Sequence, residues 1–177
     1  MANDFNAKLV HLLPNLRRFA LTLCRSRDVA DDLVQQTCQK AIINKASFEP
    51  GTRMEAWLFR ILRNTWIDMT RRQQTEGTPV DIDQASDMPR YDGETAAETR
   101  LMLESTFKEI EALPDDQREV LILICVEELS YKEAADVLDA PIGTIMSRLA
   151  RARQKLSENL GINSAAKRSP TDKSGQG

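Results

Sequence analysis

The sequence predicts an all-α protein of two small helical domains joined by a flexible linker, and three observations support this fold class. Apolar residues recur every three or four positions over most of the chain, which is typical of amphipathic helices. Few segments are rich in the β-branched and aromatic residues that favour strands. Between Gln73 and Gly93 the periodicity stops, and QQTEGTPVDIDQASDMPRYDG is rich in Gly, Pro, Ser and Asp. A structureless stretch of about twenty residues is uncommon inside one domain, so it indicates a boundary.

Three helices are predicted in the N-terminal part. The first runs from Phe5 to about Arg25, where apolar residues follow a 3, 4, 3 spacing. Asp28 stands where an N-cap would open the second helix, DVADDLVQQTCQKAII. After a Pro-Gly turn, Thr52 and Glu55 have the spacing of a capping box, which opens a third helix over TRMEAWLFRILRNTWIDMTRR.

The C-terminal part begins with a predicted helix over 94–112. Pro114 then lies in the first turn of the next helix. Its continuation VLILICV, at 120–126, fits a buried strand as well as a buried helix by composition. We predict a buried helix, because PDDQRE directly before it has the chemistry of a helix start and the chain offers no partner strand.

A helix-turn-helix unit is predicted next. Ser130 and Glu133 form a second capping box, which opens the short helix YKEAADVL. Asp139 begins a three-residue break, and Asp is among the few residues other than Gly that tolerate a left-handed backbone. PIGTIMSRLARARQKL, at 141–156, follows as a longer basic helix. A helix of about eight residues, a short break and a longer basic helix form the helix-turn-helix arrangement.

The second helix of this unit has one apolar and one basic side. The apolar stripe, which we expect to face the core, is Ile142, Ile145, Leu149, Ala152 and Leu156. The opposite side consists of Met146, Ser147, Ala150, Arg151 and Gln154, with Arg148 and Arg153 at its margins. A face of small residues framed by arginines fits the major groove of DNA, with Ser147 and Arg151 near base edges. The alternative is a solvated basic helix end, which the helix dipole also favours.

Charge is partitioned along the chain, although the net charge is only −3. Residues 1–75 carry 12 basic and 7 acidic side chains, whereas residues 76–100 carry 2 and 7. Residues 101–128 carry 2 and 8, and residues 129–177 carry 8 and 5. Two basic ends therefore flank an acidic middle, and each basic end can meet nucleic acid.

Composition excludes several classes of function. Cys24, Cys38 and Cys125 are an odd number at wide spacing, so we predict small buried apolar side chains rather than disulfides or metal ligands. His11 is the only histidine, which leaves no base for a catalytic triad and no His-based zinc site. There is no glycine-rich phosphate loop, no apolar run longer than seven residues and no signal-peptide core. We expect a cytoplasmic protein that is not an enzyme, with no cofactor and no metal.

Both parts of the chain resemble one family. LPDDQREVLILICVEELSYKEAADVLDAPIGTIMSRLARARQKL resembles the minus-35-reading domain of extracytoplasmic-function (ECF) sigma factors of the sigma-70 family, whose core pattern is LSYxEIAxxLxxPxGTVxSRLxRAR. Nearer the N-terminus, ADDLVQQT and FEPGTRMEAWLFRILRN resemble the family's ADDLVQET and FxxGTxxxAWLxRIxxN. The resemblance covers about residues 10–160. LPNLRRFA and ALPDDQREVLILICVEELSYKEAA are also similar to the general-stress subgroup of alphaproteobacteria.

The resemblance implies a dissociable subunit of RNA polymerase that recognises promoter DNA and opens its strands. It assigns residues 1–73 to the minus-10 element and residues 94–161 to the minus-35 element, with a linker at 74–93 and a disordered tail at 162–177. The implied partners are the core polymerase, contacted at the coiled coil of its largest subunit and at its flap, promoter DNA and an anti-sigma factor.

The family's functional positions match this sequence in three sets. The minus-35 set is Lys132, Thr144, Met146, Ser147, Arg148, Arg151 and Arg153. The minus-10 set is Arg60, Arg63, Asn64, Arg71 and Arg72. Asn64 matches an asparagine that lines a pocket for a flipped-out base, and the four arginines would follow the DNA backbone. The set that would contact the polymerase coiled coil is Asp32, Gln35 and Gln36.

Two of these positions depart from the family pattern. Gln36 stands where the family commonly has Glu, which implies one weaker charge-assisted contact with the polymerase. Met146 stands where Lys or Arg often faces DNA, so we expect a weaker phosphate or guanine contact there. Trp57, by contrast, matches the family's packed tryptophan, and we expect it in the core.

Two other functions fit parts of the sequence. A helix-turn-helix repressor would explain the C-terminal half, but it leaves the N-terminal helical domain without a role. A sigma-like decoy that sequesters an anti-sigma factor would share the whole fold, but it has no need of Arg148, Arg151 and Asn64. Because all three residues are present, the sequence favours a sigma factor.

Overall fold

The computed structural model describes the backbone of residues 2–77 and 105–161, and the side chains of residues 4–77 and 105–161. Every regular element in these ranges is helical, and no strand occurs in them. The all-α prediction is therefore confirmed. Most of the predicted linker, the beginning of the predicted helix at 94–112 and the predicted tail at 162–177 lie outside the described residues.

Four α-helices form the first half of the described chain. They are α1 (Ala2–His11), α2 (Leu13–Cys24), α3 (Arg27–Ile43) and α4 (Met54–Glu76), with a 3-10 turn at Lys45–Ser47. The sequence predicted one helix where α1 and α2 stand, and this prediction is wrong. The helices separate at Leu12, because Pro14 in the first turn of α2 has no N–H to bond to the preceding turn.

Two helix starts differ from the predicted ones. Helix α3 begins directly after Ser26, and Asp28 lies in its first turn, where a carboxylate interacts favourably with the helix dipole. Thr52 does not cap α4, because its hydroxyl donates to the Glu49 carbonyl oxygen at 2.8 Å. Arg53 precedes this helix instead. Both helices still begin close to their predicted positions.

Four further helices form the second half. They are α5, described over 105–111, α6 (Asp115–Leu121), α7 (Tyr131–Leu138) and α8 (Ile142–Asn159). A π-helical turn at Ile122–Val126 continues α6, so VLILICV is helical as predicted, with a wider final turn. Leu123 is fully buried in this turn, whereas Cys125 is exposed. The prediction of buried cysteines is therefore correct for Cys24 and wrong for Cys125, which lies on the outer side of the turn, while Cys38 is half-buried.

The helix-turn-helix unit has the predicted local geometry. The Ser130 hydroxyl accepts from the Glu133 backbone N–H at 3.2 Å, and the Glu133 carboxylate accepts from the Ser130 N–H at 2.8 Å. Asp139 closes α7 with a left-handed backbone, at φ 49° and ψ 51°. On α8, Ile145 is fully buried, but Ile142 at the first position is 42% exposed. The predicted apolar stripe is therefore covered only from its second member onward.

The buried apolar side chains of both halves form one continuous cluster. Between α2 and α4 the rings of Phe19 and Phe59 meet edge to face, with centroids 5.2 Å apart. Trp57 is packed as predicted, with its ring centroid 5.4 Å from that of Phe48 and 6.2 Å from that of Phe5. The fully or nearly fully buried side chains of the second half include Leu113, Val120, Leu123, Val137, Ile145 and Leu149. This packing holds the helices that carry the predicted site residues.

The two halves also contact one another. Helix α2 lies against α6, and α4 lies against α7. The sequence predicted two domains joined by a linker and did not determine their relative orientation. This interface joins residues as far as 112 positions apart in the chain. Some of the predicted site residues lie beside it, so their neighbours come from the opposite half.

Candidate functional site

Helices α7 and α8, with the residues that join them, carry a surface that we call the helix-turn-helix surface. It consists of the predicted minus-35 residues Lys132, Thr144, Met146, Ser147, Arg148, Arg151 and Arg153. Lys132 and Arg151 are exposed, and Met146 is 50% exposed. Ser147 is half-buried, and its hydroxyl donates to the Thr144 carbonyl oxygen at 3.0 Å. Much of this surface is therefore open to a DNA duplex.

Two arginines of this surface already have partners in the second half. Arg148 Nε lies 3.1 Å from a carboxylate oxygen of Asp116 on α6. Arg153 Nη2 lies 3.6 Å from Cys125 Sγ, and this contact raises the pKa of Arg153. The Asp116 side chain is 45% exposed, and partly solvated pairs of this kind contribute at most about 1 kcal/mol. A DNA phosphate can therefore replace Asp116 at small cost.

The predicted minus-10 residues lie along α4. Arg60, Asn64, Arg71 and Arg72 are exposed. Arg60 and Asn64 line an open cleft of about 890 Å³, which Lys132 borders from the α7 side. The structure thus brings part of both predicted DNA-binding sets to the walls of one cleft. The sequence patterns did not predict this arrangement.

Arg63 differs from the other arginines of the minus-10 set because a carboxylate engages it. Its Nε lies 3.1 Å from Glu119 Oε2 of α6, and the two side chains are 20% and 16% exposed. Burial raises the pKa of Glu119 above its ordinary value of 4.5, and the attraction of Arg63 offsets only part of this effect. In this conformation the Arg63 guanidinium is occupied by Glu119 rather than available to DNA.

We expect the stability of the folded chain to depend on the charge of Glu119. A carboxyl group whose pKa is raised by folding contributes stability that is complete below about pH 4.5 and is lost as pH rises through the folded pKa. The free energy of unfolding of Glu119→Gln, relative to that of the unaltered chain, should therefore rise between about pH 4 and pH 7. Urea unfolding at both pH values measures this difference. Glu158→Gln, which removes an exposed carboxylate of α8, is the control, and equal pH dependence in the Glu119→Gln chain and the unaltered chain would contradict the expectation.

The predicted polymerase-binding residues lie on α3. Asp32 and Gln35 are exposed, whereas Gln36 is half-buried. Gln35 borders a shallow groove between α2 and α3, whose walls include Pro14 and Val34. A partner can therefore reach the first two side chains fully, and Gln36 only in part.

The polar residues that join the two halves were not predicted from the sequence. Arg118 on α6 is 3% exposed and donates to four acceptors, which are the carbonyl oxygens of Thr22, Glu111 and Leu113 and the Asp115 carboxylate. Arg18 on α2 forms an ion pair with Glu127 at 2.6 Å. The opposite net charge of residues 1–75 and 101–128 could have indicated ion pairs such as Arg18–Glu127, but no charge pattern indicated the contact of Arg118 with the Thr22 carbonyl oxygen.

The described part of the chain contains no group of three His, Cys, Asp or Glu side chains placed to hold a metal ion. Among the helices of that part, none is both long enough and apolar enough to cross a membrane. Cys24 and Cys38 are free thiols, and burial raises the pKa of both, which makes them poor nucleophiles at neutral pH.

Two family models match the chain. Sigma-70 region 2 matches residues 9–76, and sigma-70, region 4, matches residues 106–156. The first range contains α2, α3 and α4, and the second contains α6, α7 and most of α8. Together, the helical fold, the helix-turn-helix surface and these matches define a two-part DNA-binding protein of the transcription machinery.

Similar proteins match over nearly the whole chain. The ECF RNA polymerase sigma factor EcfG of Rhodopseudomonas palustris (strain TIE-1) is 41% identical over 172 residues, which cover 97% of this chain and 93% of that protein. The sigma factor RpoE of Bartonella quintana, solved with the anti-sigma factor NepR, has a TM-score of 0.74 and 38% identity, covering 90% of this chain and 98% of that one. CnrH, solved with the cytosolic domain of CnrY, has a TM-score of 0.63 and 26% identity, with 92% and 91% covered. This chain belongs to the ECF sigma factors of the sigma-70 family.

The predicted family is thereby confirmed. A sigma factor describes the chain better than a helix-turn-helix repressor does. The N-terminal half matches sigma-70 region 2, whereas a repressor would leave that half without a role. The decoy is not favoured, because the relative that is 41% identical over nearly the full length is itself a sigma factor.

Proposed function

We propose that this sigma factor brings core RNA polymerase to promoters with separate minus-35 and minus-10 elements and helps to open the DNA strands there. The observation that carries the proposal is the presence of two different polar surfaces on one chain. The helix-turn-helix surface is basic and suits a duplex. The α4 surface combines Asn64 with Arg60 and suits an unstacked single strand.

Each set of residues has a proposed role. Ser147 and Arg151 contact base edges in the major groove, while Arg148 and Arg153 contact phosphates. On α4, Asn64 holds a flipped-out base, and the arginines of the minus-10 set follow the strand. The unit that binds minus-10 DNA is proposed to span residues 1–73, and the unit that binds minus-35 DNA residues 94–161. We assign no catalytic step to this chain.

Three partners are part of the proposal. The exposed Asp32 and Gln35 on α3, together with Gln36, are proposed to contact the coiled coil of the largest polymerase subunit. An anti-sigma factor is the proposed regulator, which is supported by the solved complexes of RpoE with NepR and of CnrH with CnrY. Promoter DNA is the third partner, and we propose that the protein meets all three in the cytoplasm.

Transcription in vitro tests the proposal. Core polymerase and the full chain are incubated with fragmented genomic DNA of the source organism, and the 5′ ends of the transcripts are mapped by sequencing. We expect start sites preceded by two shared sequence elements, which appear only when the chain is added. Scrambling the upstream element of a recovered promoter is the matched control and should abolish its transcript. Failure to produce any chain-dependent start, together with tight binding of an anti-sigma factor, would overturn the proposal in favour of a decoy.

A further inference from the structure

We propose that the free chain is held closed by an interdomain latch, which keeps the minus-10 surface of α4 against the opposite half, with Arg63 occupied, until the two halves separate. The latch consists of the side chains of Asn15 and Arg18 on α2 and of Glu127 after the π-helical turn. The functional consequence rests on the proposed assignment of α4 to minus-10 DNA, whereas the closed conformation stands independently of that assignment.

Glu127 is a buried carboxylate whose two side-chain partners belong to the other half of the molecule. Its side chain is 1% exposed. One carboxylate oxygen accepts from Arg18 Nε at 2.6 Å, and the other accepts from Asn15 Nδ2 at 2.7 Å. Removing an ionised carboxylate from water is strongly unfavourable unless it is paired and hydrogen-bonded. Its burial is therefore sustained by the first half, and separation of the halves returns Glu127 to water.

The π-helical turn places Glu127 at the interface. The Glu127 backbone N–H donates to the Ile122 carbonyl oxygen at 2.9 Å, one residue further back than in an α-helix. Glu128 follows with φ 55°, a left-handed backbone at which the chain turns toward α7. Arg53 of the first half donates to the carbonyl oxygens of Glu128 at 2.7 Å and of Glu127 at 3.4 Å. The first half thus holds this segment by its side chain and by its backbone.

Among the described residues, three further ion pairs cross the same interface with the same polarity. They join Arg25 to Asp115 at 3.2 Å, Arg53 to Glu133 at 3.8 Å and Arg63 to Glu119 at 3.1 Å. In each pair the arginine belongs to the first half and the carboxylate to the second. The net charges of residues 1–75 and 101–128, which contain all of these residues except Glu133, have the matching signs. The contact is therefore electrostatically complementary, as expected of surfaces that dock specifically.

The closed conformation is incompatible with binding both promoter elements. Their names place them about 25 base pairs apart, which corresponds to roughly 85 Å along B-form DNA. In the closed chain α4 and α7 are in direct contact. Glu119 engages Arg63, and Asn64 faces a cleft that α7 helps to enclose. Binding of both elements at once therefore requires separation, which also releases Arg63 and opens the cleft beside Asn64, whereas the exposed helix-turn-helix surface can meet a duplex without it.

Charge exchange in the full chain tests the latch. Arg18→Glu and Glu127→Arg each place like charges together, and the double variant restores an opposite pair. Small-angle X-ray scattering should give both single variants a larger radius of gyration than the unaltered chain, and the double variant should return to the compact value. Arg17→Glu is the matched control, because it makes the same charge change on α2 while its partner Asp31 lies in the same half. This variant should remain compact.

DNA binding without polymerase tests the consequence. A labelled single-stranded minus-10 oligonucleotide should bind roughly tenfold more tightly to both single variants, because a larger fraction of each population is open. One variant adds positive charge and the other removes it, so a gain in both cannot be a simple charge effect. A minus-35 duplex should bind the unaltered chain and the Arg18→Glu variant with affinities that agree within about twofold, since the helix-turn-helix surface is exposed in either conformation.

The outcomes separate the latch from the DNA assignment. An unaltered chain that is already as expanded as the single variants, or single variants that stay compact, would overturn the latch. Expansion of the single variants with no single-strand binding by any chain would support the latch and count against the assignment of α4. Circular dichroism checks that each variant is folded. If Glu127→Arg unfolds, Arg18→Glu at a 42% exposed position and the isosteric Glu127→Gln carry the same scattering test.

Discussion

Transcription is expected to fall by roughly 100-fold when Arg148 and Arg151 are both replaced by Gln, because two cationic DNA contacts of about 1–3 kcal/mol each are lost together. Arg151 is exposed on α8, and Arg148 is held by the partly exposed Asp116 in the free chain. Loss of the Arg148 side chain leaves no buried charge, so the fold should be retained. Run-off transcription with core polymerase measures the effect on a recovered promoter.

A second charge-removing variant on the same helix controls for net charge. Lys155 is exposed on α8 and does not belong to the helix-turn-helix surface, so Lys155→Gln should change transcription by less than about twofold. The double arginine variant should also reduce the salt dependence of promoter binding by about one counterion, for the phosphate contact that Arg148 provides. Unchanged transcription by the double variant would show that α8 does not read the promoter as proposed.

Promoter opening is expected to fall about tenfold when Asn64 is replaced by Ala, because a flipped-out base then loses the amide that reads its edge. Asn64 is exposed at the rim of the cleft between α4 and α7, so its removal should leave the helix intact. Duplex binding at the minus-35 element should persist. Permanganate reactivity of unpaired thymines, measured in the complex of promoter and complete polymerase, follows the opening directly.

Gln74→Ala is the matched control for this prediction. Gln74 is another exposed amide of α4, and it lies outside the minus-10 set. Its replacement should leave permanganate reactivity unaltered. Equal reactivity in the Asn64 and Gln74 variants would assign base capture to other residues, whereas loss of duplex binding in the Asn64 variant would point to a general defect.

Local features of the fold followed from the sequence wherever the interacting groups are close in the chain. The capping box of Ser130 and Glu133 was predicted correctly, because its partners are separated by one helical turn. The left-handed backbone of Asp139 was also predicted correctly, because it depends on the conformational preference of that one residue. The missed break at Leu12 shows the limit, since apolar periodicity continues across Pro14 although the hydrogen bonding does not.

The sequence predicted which residues form the candidate site, but it did not predict which side chains those residues contact in the folded chain. Family patterns selected Arg63 and Arg148 for DNA, and the structure holds each of them on a carboxylate of α6. No pattern along the chain indicated that Glu119 would lie at α4. The cleft that Asn64 shares with α7 likewise depends on how two helical units meet.

By itself, the sequence determined that this chain is helical, that it carries a helix-turn-helix unit with an arginine-rich face, and that it is an ECF sigma factor. Only the tertiary structure decided that Arg18 meets Glu127 and that the minus-10 surface borders the opposite half. The physical reason is distance along the chain. Helices and caps form between residues three or four positions apart, whereas Arg18 and Glu127 are 109 positions apart and meet only when two complementary surfaces dock.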